Sequence, residues 1–302
     1  MKQRSALTWL VPAIAGLTLI TAGVGLFWQA GAPFPFTTLR GETVQMYGQG
    51  LYRYDSYFKA PILRGTDAVV LGAGLPLLLL AFRLYRRGSL RGGLVLTGAL
   101  SFFLYYGASL AFSVAFNRLF PIYVALLSVS FFAFISALTA LDAASLAARL
   151  SARLPRRGLA AFLIVAGLGV FSIWASELIG PVLDGRTPAN LGADTSLFTH
   201  AFDIAIIAPV VVLTGLAVLR REPLGDLLAA PLLVLCTLIG LVVIAQTVAQ
   251  TLAGITFPIG VYIGMIGSWI ILGACAIGLA IAYFRSLTEP ASDPASLAAA
   301  QA

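Results

Sequence analysis

Long apolar runs alternate with short basic or polar links along nearly the whole chain. A helix needs roughly 20 apolar residues to cross the hydrocarbon core of a bilayer, and the sequence offers about eight such runs. They cover Ala6 to Trp28, Ala68 to about Leu84, Gly92 to about Phe116, Phe120 to Leu141, Leu159 to about Leu183, about Phe202 to Leu219, Leu227 to about Leu252, and Ile259 to Phe284. Pro76 falls near the middle of the second run, where a membrane helix tolerates a kink because neighbouring groups satisfy the freed carbonyl. The pattern predicts an all-α membrane protein of about eight transmembrane helices.

The first run follows MKQR and ends near Ala30-Gly31-Ala32, which resembles a secretory signal. It exceeds the usual apolar core of about 7–15 residues in such signals, and Pro33 directly follows the small-residue pattern. An uncleaved first helix is expected.

One long polar interval breaks the pattern, Gly41 to Asp67, with Glu42, Arg53, Asp55, Lys59, Arg64 and Asp67 among several tyrosines. Thr43 to Tyr54 reads as two short strands about a turn at Gly48 and Gly50, residues that supply positive φ. An unstructured interval this long is unusual in a compact protein. The expectation is a small β-hairpin-like extracytoplasmic cap in segment 29–67, within one polytopic domain at 1–287. Residues 288–302, rich in Ala, Ser and Pro, are expected to form a disordered cytoplasmic tail.

Composition strengthens the membrane reading. The 302 residues are 60% hydrophobic and 10% charged, with mean hydropathy +0.96, whereas a soluble domain carries about a quarter charged residues. The net charge of +7 does not indicate nucleic acid, because the basic residues sit in short clusters between apolar runs. With a cytoplasmic N-terminus, 13 of the 19 basic residues fall inside and 6 outside. This places both termini in the cytoplasm and the polar interval outside. The basic stretch Arg149 to Arg157 is expected to form a short amphipathic helix on the membrane surface. Cys236 and Cys275 lie in apolar runs without CxxC spacing and read as packing residues. In the eighth run Gly260, Gly264 and Ser268, then Ala274, Gly278 and Ala282, form a seam suited to close helix packing.

Candidate chemistry gathers toward the outer side. Asp67, Asn117, Arg118, Glu177, His200, Asp203, Gln246 and Gln250 all fall near outer span ends, while the inner halves offer almost nothing comparable. Ionisable groups at membrane depth normally face a partner or a wet cavity. The expected binding set is Arg53, Asp55, Asp67, Arg118, Glu177, His200 and Asp203, lining an outward polar pocket beneath the cap. Each has a plainer reading. Asp67 precedes an apolar run and reads as an N-cap; Arg118 sits in a tight turn where it can snorkel to water; Glu177 is expected to pair with Arg118 or Arg53. Tyr105 and Tyr106, with Tyr52, Tyr54 and Tyr57, read first as an interfacial belt. Glu177, His200 and Asp203 are weighed as a divalent metal site, but without a ligand-spacing motif no metal is assigned. No Walker, Rossmann or GxSxG pattern and no zinc framework occurs, so no catalytic residue and no cofactor is assigned.

The stretches GLYRYDS, RGTD, RRGSLRG, LYYGAS and FNRLFPIYVALLS resemble a group of uncharacterised bacterial multi-pass integral membrane proteins. The resemblance covers roughly residues 41–138. It implies a bacterial inner-membrane location and a single module joining the outer segment to the first basic link; it implies no activity.

Three functions are weighed: transport or small-ligand binding at the outer pocket, a structural or accessory subunit of a membrane complex, and a membrane enzyme using Glu177 or Asp203 as base. Expected partners are the lipid bilayer, a small molecule or ion, and other membrane proteins.

Overall fold

The computed structural model describes residues 2–289. Among them, eight helices are long and apolar enough to cross a membrane: Ala6–Phe27, Lys59–Arg86, Leu90–Ser113, Phe120–Thr139, Arg156–Asp184, Phe198–Leu219, Pro223–Leu252 and Ile259–Ser286. These are the first to eighth spans. Large apolar side chains such as Leu80, Phe132 and Ile271 are exposed along them, as suits a surface solvated by hydrocarbon.

The second span begins at Lys59 rather than Ala68. Its early turns carry Lys59, Arg64 and Asp67, which hydropathy assigns to water. Pro61 falls in its first turn, where a missing N–H is already an orphan. The charges find partners in the protein, so the helix continues through them.

The first four spans close on one another in chain order, with the fourth returning to the first. The last four also form a ring, and the seventh span joins the two groups by packing on the second and third. The third and seventh are accordingly the inner spans, 67% and 61% buried over their apolar windows, and the eighth is the outermost at 6%. A Cβ at Gly65 would stand 2.6 Å from the Ala245 carbonyl oxygen and 2.7 Å from Gln246 Cα. The second and seventh spans can therefore meet this closely only at glycine.

One π turn interrupts each of the second, sixth and eighth spans, at Val70–Gly74, Asp203–Ile207 and Ile263–Gly267. Two of them precede a proline, Pro76 and Pro209. Proline brings no N–H to the turn before it, and a widened turn accommodates the missing bond. Along the small-residue seam of the eighth span, a Cβ at Gly260, Gly264 or Gly278 would meet nothing among the described residues within 4 Å. This span approaches the seventh through Gly273, which faces Gly240.

The cap contains a two-stranded hairpin ahead of the expected turn, and the chain reverses again at that turn, where Met46 bridges Ser56 antiparallel and the Gly48 N–H donates to the Arg53 carbonyl at 3.0 Å. β1 (Phe34–Thr37) pairs antiparallel with β2 (Thr43–Met46), Phe34 opposite Met46 and Thr37 opposite Thr43. The connection is Thr38–Glu42, closed by the Thr38 N–H donating to the Glu42 carbonyl at 2.8 Å. Gly48 and Gly50 have the positive φ expected in that reversal, and they also serve close approach: a Cβ on them would collide with the carbonyls of Ala32 and Trp28. The cap is tied to the bundle by Tyr57 Oη donating to the Ala253 carbonyl (2.8 Å) and Gln250 Nε2 donating to the Phe58 carbonyl (3.1 Å).

At the opposite, basic end, Arg149 to Arg157 forms no amphipathic helix. A short helix, Ala143–Ala148, is capped by Asp142 and ends before it, and Arg156 opens the fifth span. The intervening chain pairs with the end of the eighth span, Ser151 N–H donating to the Ser286 carbonyl at 2.8 Å and Thr288 N–H to the Arg149 carbonyl at 3.1 Å. Of the tail expected to be disordered, residues 290–302 lie outside the described residues. Glu289 is bound: it accepts from Ser89 Oγ (2.9 Å) and from the Leu90 and Arg91 N–H groups (2.9 and 3.0 Å), covering the start of the third span.

Candidate functional site

Four polar clusters occupy the cap end, and each is built from side chains that different spans or the cap bring together. The first centres on Asp67, which is fully buried. Tyr52 Oη, from the cap, donates to Asp67 Oδ2, and Tyr106 Oη, from the third span, donates to Oδ1, both at 2.7 Å. Asp67 is therefore not an N-cap; it lies two turns into its helix. A Cβ on Gly25 of the first span would collide with Asp67 Oδ2 and Tyr52 Oη, so glycine there makes room for the carboxylate. Burial, then the neighbouring Asp67, pushes the Tyr52 hydroxyl far above its ordinary titration range and keeps it a donor.

The second cluster stands where the cap meets the start of the second span. Lys59 Nζ lies 3.2 Å from Asp55 Oδ1 and bonds both oxygens of Asp194, at 2.9 and 2.8 Å. It also donates to the Ser113 carbonyl. Asp55 Oδ1 accepts the Ala115 N–H at 3.1 Å, and Arg40 reaches the Asp194 carbonyl at 3.1 Å. One ammonium thus ties the cap, the end of the third span and the link after the fifth. Burial pushes the Asp55 carboxyl up to about 6, with Lys59 and the Ala115 N–H pulling the other way.

The third and fourth clusters belong to the second ring. Glu177 Oε2 lies 2.9 Å from His200 Nε2 and accepts from Asn190 Nδ2 at 2.9 Å. Its partners are thus His200 and Asn190, not Arg118 or Arg53. The His200 ring packs on Trp174, with centroids 4.2 Å apart. Trp174 Nε1 donates to Asp203 Oδ2 at 2.9 Å. Asp203 Oδ1 is buried without a partner of hydrogen-bonding geometry, and Tyr105 stands beside it on the wall of a cavity of about 60 Å³. That volume admits a few water molecules. Because Asp203 turns to Trp174 and opens the π turn, it does not join Glu177 and His200, and no group of three metal-ligating side chains forms among the described residues.

The remaining expected residues stand apart. Arg53 lies over the Tyr54 ring, 5.1 Å from its centroid, and Arg118 is exposed in the link before the fourth span. The seven expected residues thus divide among several places and do not line one pocket.

Sequence reasoning missed the roles of Lys59, Asp194 and the Tyr52–Tyr106 pair. Tyrosines near a membrane boundary read as a belt, and Asp194 sits in a link with no periodicity to orient it. It also missed the Arg156–Asp226 ion pair at the basic end, where the Asp226 side chain is 1% exposed. Its available signal was an acid in the first turn of one span and a base in the first turn of another. Comparison with known proteins found no matching family model, no similar curated protein and no similar solved structure.

Proposed function

We propose that the protein is a structural or accessory component of a membrane, in which the cap-end polar groups lock an extramembrane cap onto an eight-span bundle. The observation that carries this reading is the Lys59 clamp. A single ammonium with 14% of its side chain exposed is shared by Asp55, Asp194 and the Ser113 carbonyl, which joins three chain segments. Asp67, with both oxygens bonded by tyrosines from the cap and the third span, adds a second tie. Glu177 accepts from Asn190 and lies 2.9 Å from the His200 ring nitrogen, so it too is engaged within the protein. The competing ligand or ion reading draws on one observation, the buried Asp203 Oδ1 beside Tyr105 and its cavity.

Amide hydrogen exchange on the purified protein separates these readings. Asp194→Asn should speed exchange in the cap, residues 38–58, and Asp203→Asn should leave that segment as protected as in the wild type. The structural reading is overturned if Asp194→Asn leaves the cap unchanged. It is also overturned if wild-type proteoliposomes carry a proton or monovalent-cation flux that Asp203→Asn abolishes.

A further inference from the structure

The basic end carries a feature that the cap does not touch. A groove of about 580 Å³ runs between the second, third, seventh and eighth spans. Its walls include Leu77, Val95, Val234, Ile277, Ile281 and Phe284, and its mouth holds Arg91 and Arg285. Thr237 also lines it, but its hydroxyl donates to the Leu233 carbonyl at 2.9 Å, so it presents little polarity to the groove.

The order of residues along the spans gives the groove a direction. Arg285 lies in the last turn of the eighth span, with Phe284, Ile281 and Ile277 at increasing depth behind it. From Arg285 to Ile277 is about 12 Å along a helix. Arg91 lies in the first turn of the third span, with Val95 one turn deeper. A charged rim therefore opens onto an apolar trough about two helical turns deep.

The charges at the rim favour an anion. Arg285 is exposed. Arg91 uses one terminal nitrogen on the Leu287 carbonyl at 2.7 Å, and its Nε lies 3.9 Å from Glu289 Oε1. Glu289 is the one acid at the mouth shown by these contacts, and its carboxylate is already taken by Ser89 and by the N–H groups opening the third span. The mouth thus carries two guanidinium groups, of which Arg91 approaches a carboxylate that is committed elsewhere. Basic pockets between spans at this level suit the head groups of anionic lipids, and the trough suits a hydrocarbon chain.

We infer that the groove binds an anionic phospholipid, one acyl chain lying along the trough and the phosphate held by Arg285 and Arg91. The site is independent of the cap clamp. Arg285 supplies the exposed charge for the head group, while the apolar walls accept any acyl chain of sufficient length. Selectivity for charge should therefore reside at Arg285, and affinity for lipid as such in the trough.

Native mass spectrometry of the full chain in a neutral detergent, titrated with phosphatidylglycerol or phosphatidylcholine, tests this. The wild type should retain phosphatidylglycerol in preference. Arg285→Gln should weaken phosphatidylglycerol binding about fivefold, the contribution of one basic residue at a membrane surface, and weaken phosphatidylcholine binding less, because choline offsets the charge of its phosphate. Ala280→Leu, which narrows the trough, should weaken both. Thermal midpoints of both variants close to the wild type would show that the loss arises at the groove. Equal wild-type affinity for the two lipids would overturn the assignment, as would undiminished phosphatidylglycerol binding by Arg285→Gln. Inorganic phosphate binding as tightly as phosphatidylglycerol would also overturn it, since the trough would then contribute nothing.

Discussion

At Asp55 one carboxylate oxygen is well provided for and the other is not. Oδ1 accepts from the Ala115 N–H and faces Lys59, whereas Oδ2 is buried without a partner. Burial raises the carboxyl to about 6, above the value near 4 of an unfolded aspartate. The folded state then holds its proton more tightly than the unfolded one. The stabilisation from this group is complete below about pH 4 and is lost as pH rises through about 6, an effect of roughly 2–3 kcal/mol. Asp55→Asn keeps an acceptor for Ala115 and removes the titration, and Lys59 retains Asp194. The thermal midpoint of Asp55→Asn minus that of the wild type should therefore increase between pH 4 and pH 7 in detergent; a flat difference would contradict the burial argument. Asp67 marks the limit of reading such residues from sequence. An acid just before an apolar run has the pattern of an N-cap, and nothing local reveals that two tyrosines, Tyr52 and Tyr106, will meet it inside the bundle.

At the scale of elements, the spans were legible because their apolar runs are long, and the one large boundary error has a physical origin. Lys59, Arg64 and Asp67 make the start of the second span look aqueous, yet Arg64 donates to Tyr47 Oη (3.1 Å) and to the Leu26 carbonyl (3.3 Å), and the cap covers the rest. A hydropathy reading sees the charges and cannot see the partners. The reversal about Gly48 and Gly50 was legible, whereas the pairing of β1 with β2 was not, and a glycine does not say whether a turn or a close approach requires it; here both do. The same ambiguity surrounds Gly65, where the answer is close approach to the backbone of the seventh span. Gly65→Val would drive a branched side chain into the Ala245 carbonyl, and because backbone cannot yield as a flexible side chain does, the cost should reach or exceed about 1–3 kcal/mol. Gly72, whose Cβ would meet nothing within 4 Å, provides the control. Unfolding in detergent should show Gly65→Val clearly destabilised and Gly72→Ala close to the wild type; equal stability would mean that the two spans do not meet as described.

Across the whole molecule, the two rings share a plan that the sequence does not announce as a repeat. The second helix of each ring bears a π turn followed by a proline. Each also carries a buried aspartate near its cap end, Asp67 or Asp203, held by aromatic donors. Adjacent residues of the third span serve both, Tyr106 bonding Asp67 and Tyr105 standing beside Asp203. The third span is thus a wall common to the two rings at the cap end. At the basic end the fifth and seventh spans are fastened by Arg156 and Asp226, whose guanidinium and carboxylate pair through two contacts. Tyr283 of the eighth span adds a bond from its hydroxyl to the Asp226 carbonyl at 2.6 Å. The Asp226 side chain is 1% exposed and that of Arg156 20%, so removing Arg156 strands the more deeply buried charge. Arg156→Met alone should cost about 3–5 kcal/mol, the penalty for an uncompensated buried charge. Replacing both, Arg156→Met with Asp226→Leu, removes the stranded carboxylate and should recover most of that loss. Unfolding of the two variants in the same detergent measures the difference directly. If the double variant is as unstable as the single, or more so, the pair contributes its full attraction and the stranded-charge account of this end of the molecule fails.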